Sequence, residues 1–389
     1  MLSLTIDNQP EHAPIDQACE QKVVFNGTHR CRTPEQTWDQ LQPLLISAGI
    51  TRVADITQLD SVGLPVYQAI RPHSRALAVS QGKGLTPMLA KVSAVMESIE
   101  SWCAEQIPIA VEKRKASELD LPYDPCRLCR SGYSHLAQRL RHNWAAAVDL
   151  HRGCSTFVPL RLVNLDWTVT GNWDIHPFIS TSNGLASGNS RNEALVHAIC
   201  ELVERFTTDK PAGPVHAVNP NTLPKGSSQR MAELIISGGH HLELEWFPSS
   251  IGLPVFKARL HCNQIPQLFG GYGAHLDADI ALSRAISEAA QSRLTHISGA
   301  RDDVGPWTRL SVHHQSSPSR QPAETTTLDA VQTHAEQAGL RPGLSLQDDL
   351  NTLLAALDHH TLLALDLSPM DGVHVMRVVS PELETLAVQ

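Results

Sequence analysis

Apolar residues recur at helical spacing in three long stretches, about 85–106, 190–208 and 278–297, each following a glycine-bearing turn. A further helix is predicted from Thr33-Pro34-Glu35-Gln36, with Thr33 as N-cap, Pro34 in the first turn and Gln36 completing a capping box; it should run to about Ala48. Shorter runs near 49–54, 62–71, 154–166 and 243–260 have strand character. Residues 304–327 are rich in Ser, Pro, Thr, Gln and His and read as a loop or linker. Beyond them, 346–357 predicts a helix, and 361–367 and 373–379 predict strands. Residues 1–21 are polar and irregular, a frayed lead-in.

Laid over one another, the three long helices share a frame. They read Ala90-Lys-Val-Ser-Ala94-Val95-Met-Glu97-Ser-Ile-Glu100, Ala194-Leu-Val-His197-Ala198-Ile199-Cys-Glu201-Leu-Val-Glu204 and Ala281-Leu-Ser-Arg284-Ala285-Ile286-Ser-Glu288-Ala-Ala-Gln291. Residues three or four apart share a helix face, so Glu97 projects with Glu100, Glu201 with Glu204, and Glu288 with Gln291. Glu193 and His197 extend the second stripe backwards. Two like charges at that spacing cost a bare helix a few tenths of a kcal/mol. One such pair is an ordinary solvated face; three on similar frames point to a shared partner that wants oxygen ligands. Mg²⁺ is such a partner, taking carboxylate and phosphate oxygens. The alanines are small enough for close helix approach or for a ligand. Arg205 and Arg293 lie beside the stripes and could meet phosphate oxygens. The glycine turns would leave backbone N–H groups at helix N-termini, an anion site. A transition-metal site of His197 with Glu193 and Glu201 is a third option, thinly supported by one histidine.

Composition narrows the picture. The 389 residues suggest two or three domains or one large unit. With 42% hydrophobic and 18% charged residues, the chain can bury a substantial core. The net charge of −9 leaves no basic field for nucleic acid. No run of ~18 apolar residues reads as a membrane span, and the start has no basic, then apolar, export signal. The expected location is the cytoplasm, with the 8 cysteines reduced. Cys126-Arg-Leu-Cys129 is a CxxC, but too few further ligands lie nearby for structural zinc, so buried or idle thiols are expected.

Several ordered motifs carry a resemblance. Ser80-Gln-Gly-Lys-Gly84 with Glu97 and Glu100, Asn183-Gly-Leu-Ala-Ser-Gly-Asn189 with Glu193 to Arg205, and Gly271-Tyr-Gly-Ala-His275 with Arg284 to Gln291 resemble the YcaO superfamily. So do Ser298-Gly-Ala-Arg-Asp-Asp303 and Val375-Met-Arg-Val-Val-Ser-Pro381. The likeness runs from about residue 27 to the end.

The resemblance implies an α+β, YcaO-like ATP-binding fold with mixed and antiparallel sheets and three pseudo-repeated site helices. It implies an enzyme that uses ATP and Mg²⁺ to phosphorylate a peptide backbone amide oxygen. A sulfide nucleophile then gives a thioamide; a Cys, Ser or Thr side chain gives an azoline. Transferred by position, Glu97, Glu100, Glu201, Glu204 and Glu288 hold Mg²⁺. Arg30, Thr37, Glu193, His197, Arg205 and Arg284 contact nucleotide, and Arg205, Glu288 and Gln291 act in catalysis. Lys83 is a candidate peptide or phosphate contact. The chain ends Pro381-Glu-Leu-Glu-Thr-Leu-Ala-Val-Gln389, without the PxPxP tail typical of azoline-forming members, which moves weight toward thioamidation. Its overall look is similar to members paired with a TfuA protein, so the expected partners are a precursor peptide or protein substrate and a TfuA-like protein. A role as accessory factor in methylthiolation of a ribosomal protein is the alternative from a different class. The family is also compatible with a homodimer. The expected layout is an N-terminal segment, 1–70, that contributes to the nucleotide site, and one catalytic unit, 71–389.

Overall fold

The computed structural model describes residues 21–25, 27–169, 176–262, 265–300 and 324–384. Most of the expected 304–327 linker, the lead-in, and Arg301-Asp-Asp303 lie outside the described residues.

The three repeat helices form at Pro87–Ala104, Arg191–Asp209 and Ala278–Ser298. Each follows a strand: Val79–Lys83, Leu185–Gly188 and Ile265–Ala274. Each of those strands lies at the edge of its own sheet, of three, six and five strands respectively. The pairings in these sheets are antiparallel, except that Thr325–Thr326 joins His216–Val218 in parallel. Each helix packs on its own strand and also touches the strand of the next repeat. The third helix touches the first repeat's strand, so the three units close a ring. That ring is what lets carboxylates from distant parts of the chain meet.

The repeated alanines face the sheets. Ala90, Ala94, Ala194, Ala198, Ala281 and Ala285 are fully buried. A Cβ on Gly82 would lie 2.0 Å from the Ala94 nitrogen and 2.2 Å from the Ala90 oxygen. One on Gly271 would lie 2.2 Å from the Ala289 nitrogen, and one on Gly273 2.1 Å from the Ala281 oxygen. Alanine on the helix and glycine on the strand thus bring two backbones into contact, and the alanines do not line the ligand space. Gly82→Ala should cost about 3 kcal/mol, because backbone rather than a movable side chain must give way. Urea unfolding checks this, with Gly63→Ala as a comparison where no atom lies within 4 Å, leaving only the strain of its φ of +77°.

The glycine turns also leave less free backbone than expected. Thr86 Oγ1 accepts from Leu89 N–H, Ser190 Oγ from Glu193 N–H, and Asp277 from Asp279 and Ile280 N–H. The helix N-termini are capped by their own side chains and are not open anion sites.

The helix at Pro34–Ser47 has the expected Thr33 and Gln36 capping box. It packs against the first repeat helix through Leu41 and Leu44. Strands at Leu363–Asp366 and His374–Val379 and a helix at Leu346–Ala356 match expectation. The 154–166 run divides into a strand, Ser155–Pro159, and a short helix, Leu160–Val163, after Pro159. The 243–260 run is two antiparallel strands, His241–Trp246 and Val255–Cys262, with a turn at Gly252, whose φ is +85°.

Candidate functional site

The ring encloses a cavity of about 1190 Å³. Glu97 and Glu100 reach it from the first helix, Glu201, Glu204 and Arg205 from the second, Arg284, Glu288 and Gln291 from the third. Arg30, Thr37, Lys83, Glu193 and His197 line it as well. The structure therefore brings every residue singled out for metal, nucleotide or catalysis to one space. Arg293 is the exception among the arginines beside the stripes. It is 2% exposed and forms a buried ion pair with Asp60, away from the cavity.

The carboxylates sit close enough to disturb one another. Burial, with the charges of Glu97 and Glu201, pushes the Glu100 carboxyl up to about 8, against hydrogen bonds from Ser187. Ser187 Oγ donates to Glu100 Oε1 at 2.5 Å. Burial and the neighbouring Glu288 and Glu201 likewise push Glu204 up to about 8, although Arg205 and Arg284 oppose this. Glu201 is raised by burial and Glu288, with Arg205 opposing. Arg205 Nε lies 3.9 Å from Glu201 Oε1, too far for a hydrogen bond, and has no hydrogen-bond partner among the described residues. Gln291 Oε1 is also buried without one, while its Nε2 donates to the Gln81 carbonyl at 3.4 Å. Lys83 Nζ stands 3.6 Å from Glu288 Oε2.

The second helix's N-terminal half behaves differently. Glu193 is fully buried and its carboxylate is saturated. It accepts from Arg30 at 2.9 Å, Cys31 N–H at 3.0 Å, and the backbone and side-chain amides of Asn189 at 3.1 and 3.2 Å. Arg30 also meets His197 Nδ1 at 2.8 Å. Thr37 Oγ1 lies 2.8 Å from Asn189 Oδ1. Burial, then Arg30 and Arg284, hold His197 well below the usual histidine range, so it is neutral. With Arg30 on Nδ1 and the Ser187 backbone on the ring as well, the His197 ring is already engaged, which does not favour the transition-metal option. Arg284 donates to the Ala274 carbonyl at 3.3 Å, and burial beside Arg30 lowers its guanidinium.

Among the described residues, no three His, Cys, Asp or Glu side chains form a closed metal cluster. Mg²⁺ is held by a few carboxylates plus phosphate oxygens and water and needs no all-protein cage. Mutually repelling carboxylates, all oxygen donors, and an Arg205 Nε without a hydrogen-bond partner among the described residues fit a metal–polyphosphate ligand. Cys126 and Cys129 are free thiols, with burial pushing Cys126 up to about 11 and also raising Cys129. Neither is activated.

Sequence reasoning gave no role to Ser187 and Asn189 of the second motif, which hold Glu100 and Glu193, and it missed Glu384. Glu384 lines the cavity, is raised by burial, and has Oε1 without a hydrogen-bond partner among the described residues. The fully buried Arg377 is the charge that most offsets this rise. An arginine inside the apolar run Val375–Val379 was the available signal.

No helix among the described residues is long and apolar enough to cross a membrane. An uncharacterised protein of Mycobacterium tuberculosis is 41% identical over 283 residues, covering 72% of this chain and 64% of its own length. The chain thus spans under two thirds of that relative. A protein from the region 3′ of tfuA in Rhizobium leguminosarum bv. trifolii is 36% identical over 297 residues, covering 71% of this chain and 69% of the relative. The solved structure of YcaO from Methanopyrus kandleri, bound with AMPPCP and Mg²⁺, shares the fold with a TM-score of 0.70 at 23% identity, over 93% of this chain and 94% of that one. Residues 81–384, which hold all three repeats, match the family model described as YcaO cyclodehydratase, ATP- and Mg²⁺-binding, so the chain belongs to the YcaO family.

Proposed function

We propose that this protein uses ATP and Mg²⁺ to phosphorylate a peptide backbone amide oxygen, and that sulfide displaces that oxygen to leave a thioamide. A C–S bond forms, the C–O bond breaks, the oxygen departs as phosphate, and the S–H proton is given up. The observation that carries the reading is the convergence of five glutamates from three separate helices, with arginines, in one cavity.

Glu97, Glu100, Glu201, Glu204 and Glu288 would hold Mg²⁺. When bound, the metal supplies charge neutralisation on the phosphates and on the oxygens that gain charge during transfer. Arg30, Thr37 and Arg284 orient the nucleotide, and His197 and Glu193 fix Arg30 in place for that task. Arg205, Glu288 and Gln291 stand at the reacting end, where the unpaired Nε and Oε1 can meet oxygens that gain charge. On this reading the sulfur comes from outside the chain. A TfuA-like protein is the partner the reading assigns for delivery. The rhizobial relative's place beside tfuA supports this.

Purified protein with ATP, Mg²⁺, sulfide, a candidate peptide and a TfuA-like protein should release phosphate. The peptide should gain the mass difference of sulfur over oxygen. The second reading is azoline formation, supported by the word cyclodehydratase in the family's description. It requires loss of one water from the peptide instead. Nucleotide binding with neither mass change would move the protein to an accessory role, and the thioamide reading would be abandoned.

A further inference from the structure

The cavity is divided electrostatically. Arg30, Arg205, Arg284 and Lys83 line one part of it. Another part is lined by Leu77, Leu162, Leu165, Trp167 and Ile179. This apolar part lies along the end of the first repeat helix. Leu165 N–H donates to the Ala104 carbonyl at 3.0 Å, and Leu165 shares a core cluster with Met96 and Ile99, the neighbours of Glu97 and Glu100. Two arginines flank it: Arg75 is paired with Asp166 at 2.9 Å, and Arg130, which also lines the cavity and donates its N–H to the Pro177 carbonyl at 2.9 Å, has its guanidinium over the Tyr133 ring.

Trp167 is the distinctive feature. It is 45% exposed, although its ring is apolar. Its indole N–H donates to Ser180 Oγ at 3.2 Å, Ser180 Oγ donates to the Asn164 carbonyl at 2.5 Å, and Trp167 N–H donates to the Arg75 carbonyl at 3.0 Å. A large aromatic is thus held rigid with nearly half its surface unburied. Such an aromatic loses little conformational entropy when something packs on it.

Transfer of a phosphoryl group to an amide brings two ligands to the same carboxylates. The polyphosphate is anionic and takes the cationic part. The amide donor of the oxygen is neutral and fits the part whose walls are apolar. We infer that Leu77, Leu162, Leu165, Trp167 and Ile179 form the acceptor subsite, which seats an apolar side chain of the substrate peptide against Trp167. The neighbouring backbone amide is thereby presented to Glu97 and Glu100. The subsite rests on the proposed function and adds to it a substrate class: peptides with a large apolar residue next to the modified amide.

The test uses the full chain with Mg²⁺ and AMPPCP, which prevents turnover. Titration calorimetry compares acetyl-Gly-Leu-Phe-Gly-amide with acetyl-Gly-Ser-Ser-Gly-amide. The apolar peptide should bind the tighter of the two. Trp167→Ala should weaken it about tenfold, one truncated aromatic anchor's worth, and change AMPPCP affinity by less than twofold. Because Trp167 is half exposed, its loss should leave the fold intact; Ile179→Ser is the second variant. Equal binding of the two peptides, or no loss in either variant, overturns the subsite. So does a loss of AMPPCP affinity alone, which would assign the lobe to the purine base. If wild-type protein fails to bind AMPPCP with Mg²⁺ at all, the proposed function itself fails, and that outcome is distinct from these.

Discussion

Glu204→Gln is expected to reduce ATP turnover about 10²–10³-fold, the usual loss when one preorganised charged group is removed from a transfer site, while raising the unfolding midpoint of the metal-free protein by a few degrees. The two effects have one cause. Glu204 is 8% exposed and shares its space with Glu288 and Glu201. Burial and those charges lift its carboxyl from 4.5 to about 8. The sign follows from linkage. A carboxyl raised on folding is held protonated in the folded chain, so its favourable contribution is present at low pH and fades as pH rises from about 4.5 to about 8. At neutral pH the wild-type chain must therefore take up a proton at Glu204 as it folds, a cost that glutamine lacks. Melting curves with and without Mg²⁺ and AMPPCP provide the check. Wild type should gain more from the additions than the variant, because only wild type can release that proton and offer a carboxylate to the metal. Retained turnover, or a metal-free variant less stable than wild type, would remove Glu204 from the metal site.

The sequence revealed the three helices because each repeats a frame of alanines and glutamates, and periodicity is a local property. It revealed which residues meet in the cavity because a shared frame implies a shared orientation. The frame did not reveal why alanine and glycine recur. Only in three dimensions does Gly82 lie against Ala90 and Ala94, so smallness served backbone contact and not ligand access. In the shared frame Arg205 is matched by Ser292, which lines the cavity; Arg293 lies one position further round the third helix, where it pairs with Asp60 from a distant turn. The strand at His142–Asp149 was missed because its run of three alanines, Ala145–Ala147, hides the alternation that marks a strand. The helix at Ser227–Ser237 was also missed: its N-cap is Gly226, the cap comes from the distant Asp279, and it begins with two serines, which favour turns over helix interiors. Glu384 could not be placed from the repeat at all, because it enters the cavity from outside it; Ser187 lies in the second repeat's glycine turn, but nothing local signals its bond to Glu100 in the first repeat.

Glu193→Ala should cost about 3 kcal/mol and lower nucleotide affinity, although the proposed contact to nucleotide is made by Arg30. Glu193 is fully buried and accepts from four donors. Truncation strands the Arg30 guanidinium and three amide N–H groups, and a buried partner left alone costs the penalty of its desolvation. Those donors come from the N-terminal hairpin of Val23–Phe25 and Thr28–Arg30, and from Asn189 just before the second helix. The carboxylate therefore ties the start of the chain to the second repeat, with Thr37 and Asn189 as a parallel tie. Arg30→Ala separates the two functions of the pair. It should weaken nucleotide binding to a similar degree with a smaller loss of stability, because Glu193 keeps its three amide donors. In the double variant the affinity losses should not add, since both act through one guanidinium. Calorimetric titration of AMPPCP with Mg²⁺ and urea unfolding measure the two readouts on the same four proteins. Additive affinity losses would mean that Glu193 contacts the nucleotide directly and that its saturation by Arg30, Cys31 and Asn189 breaks when the ligand enters.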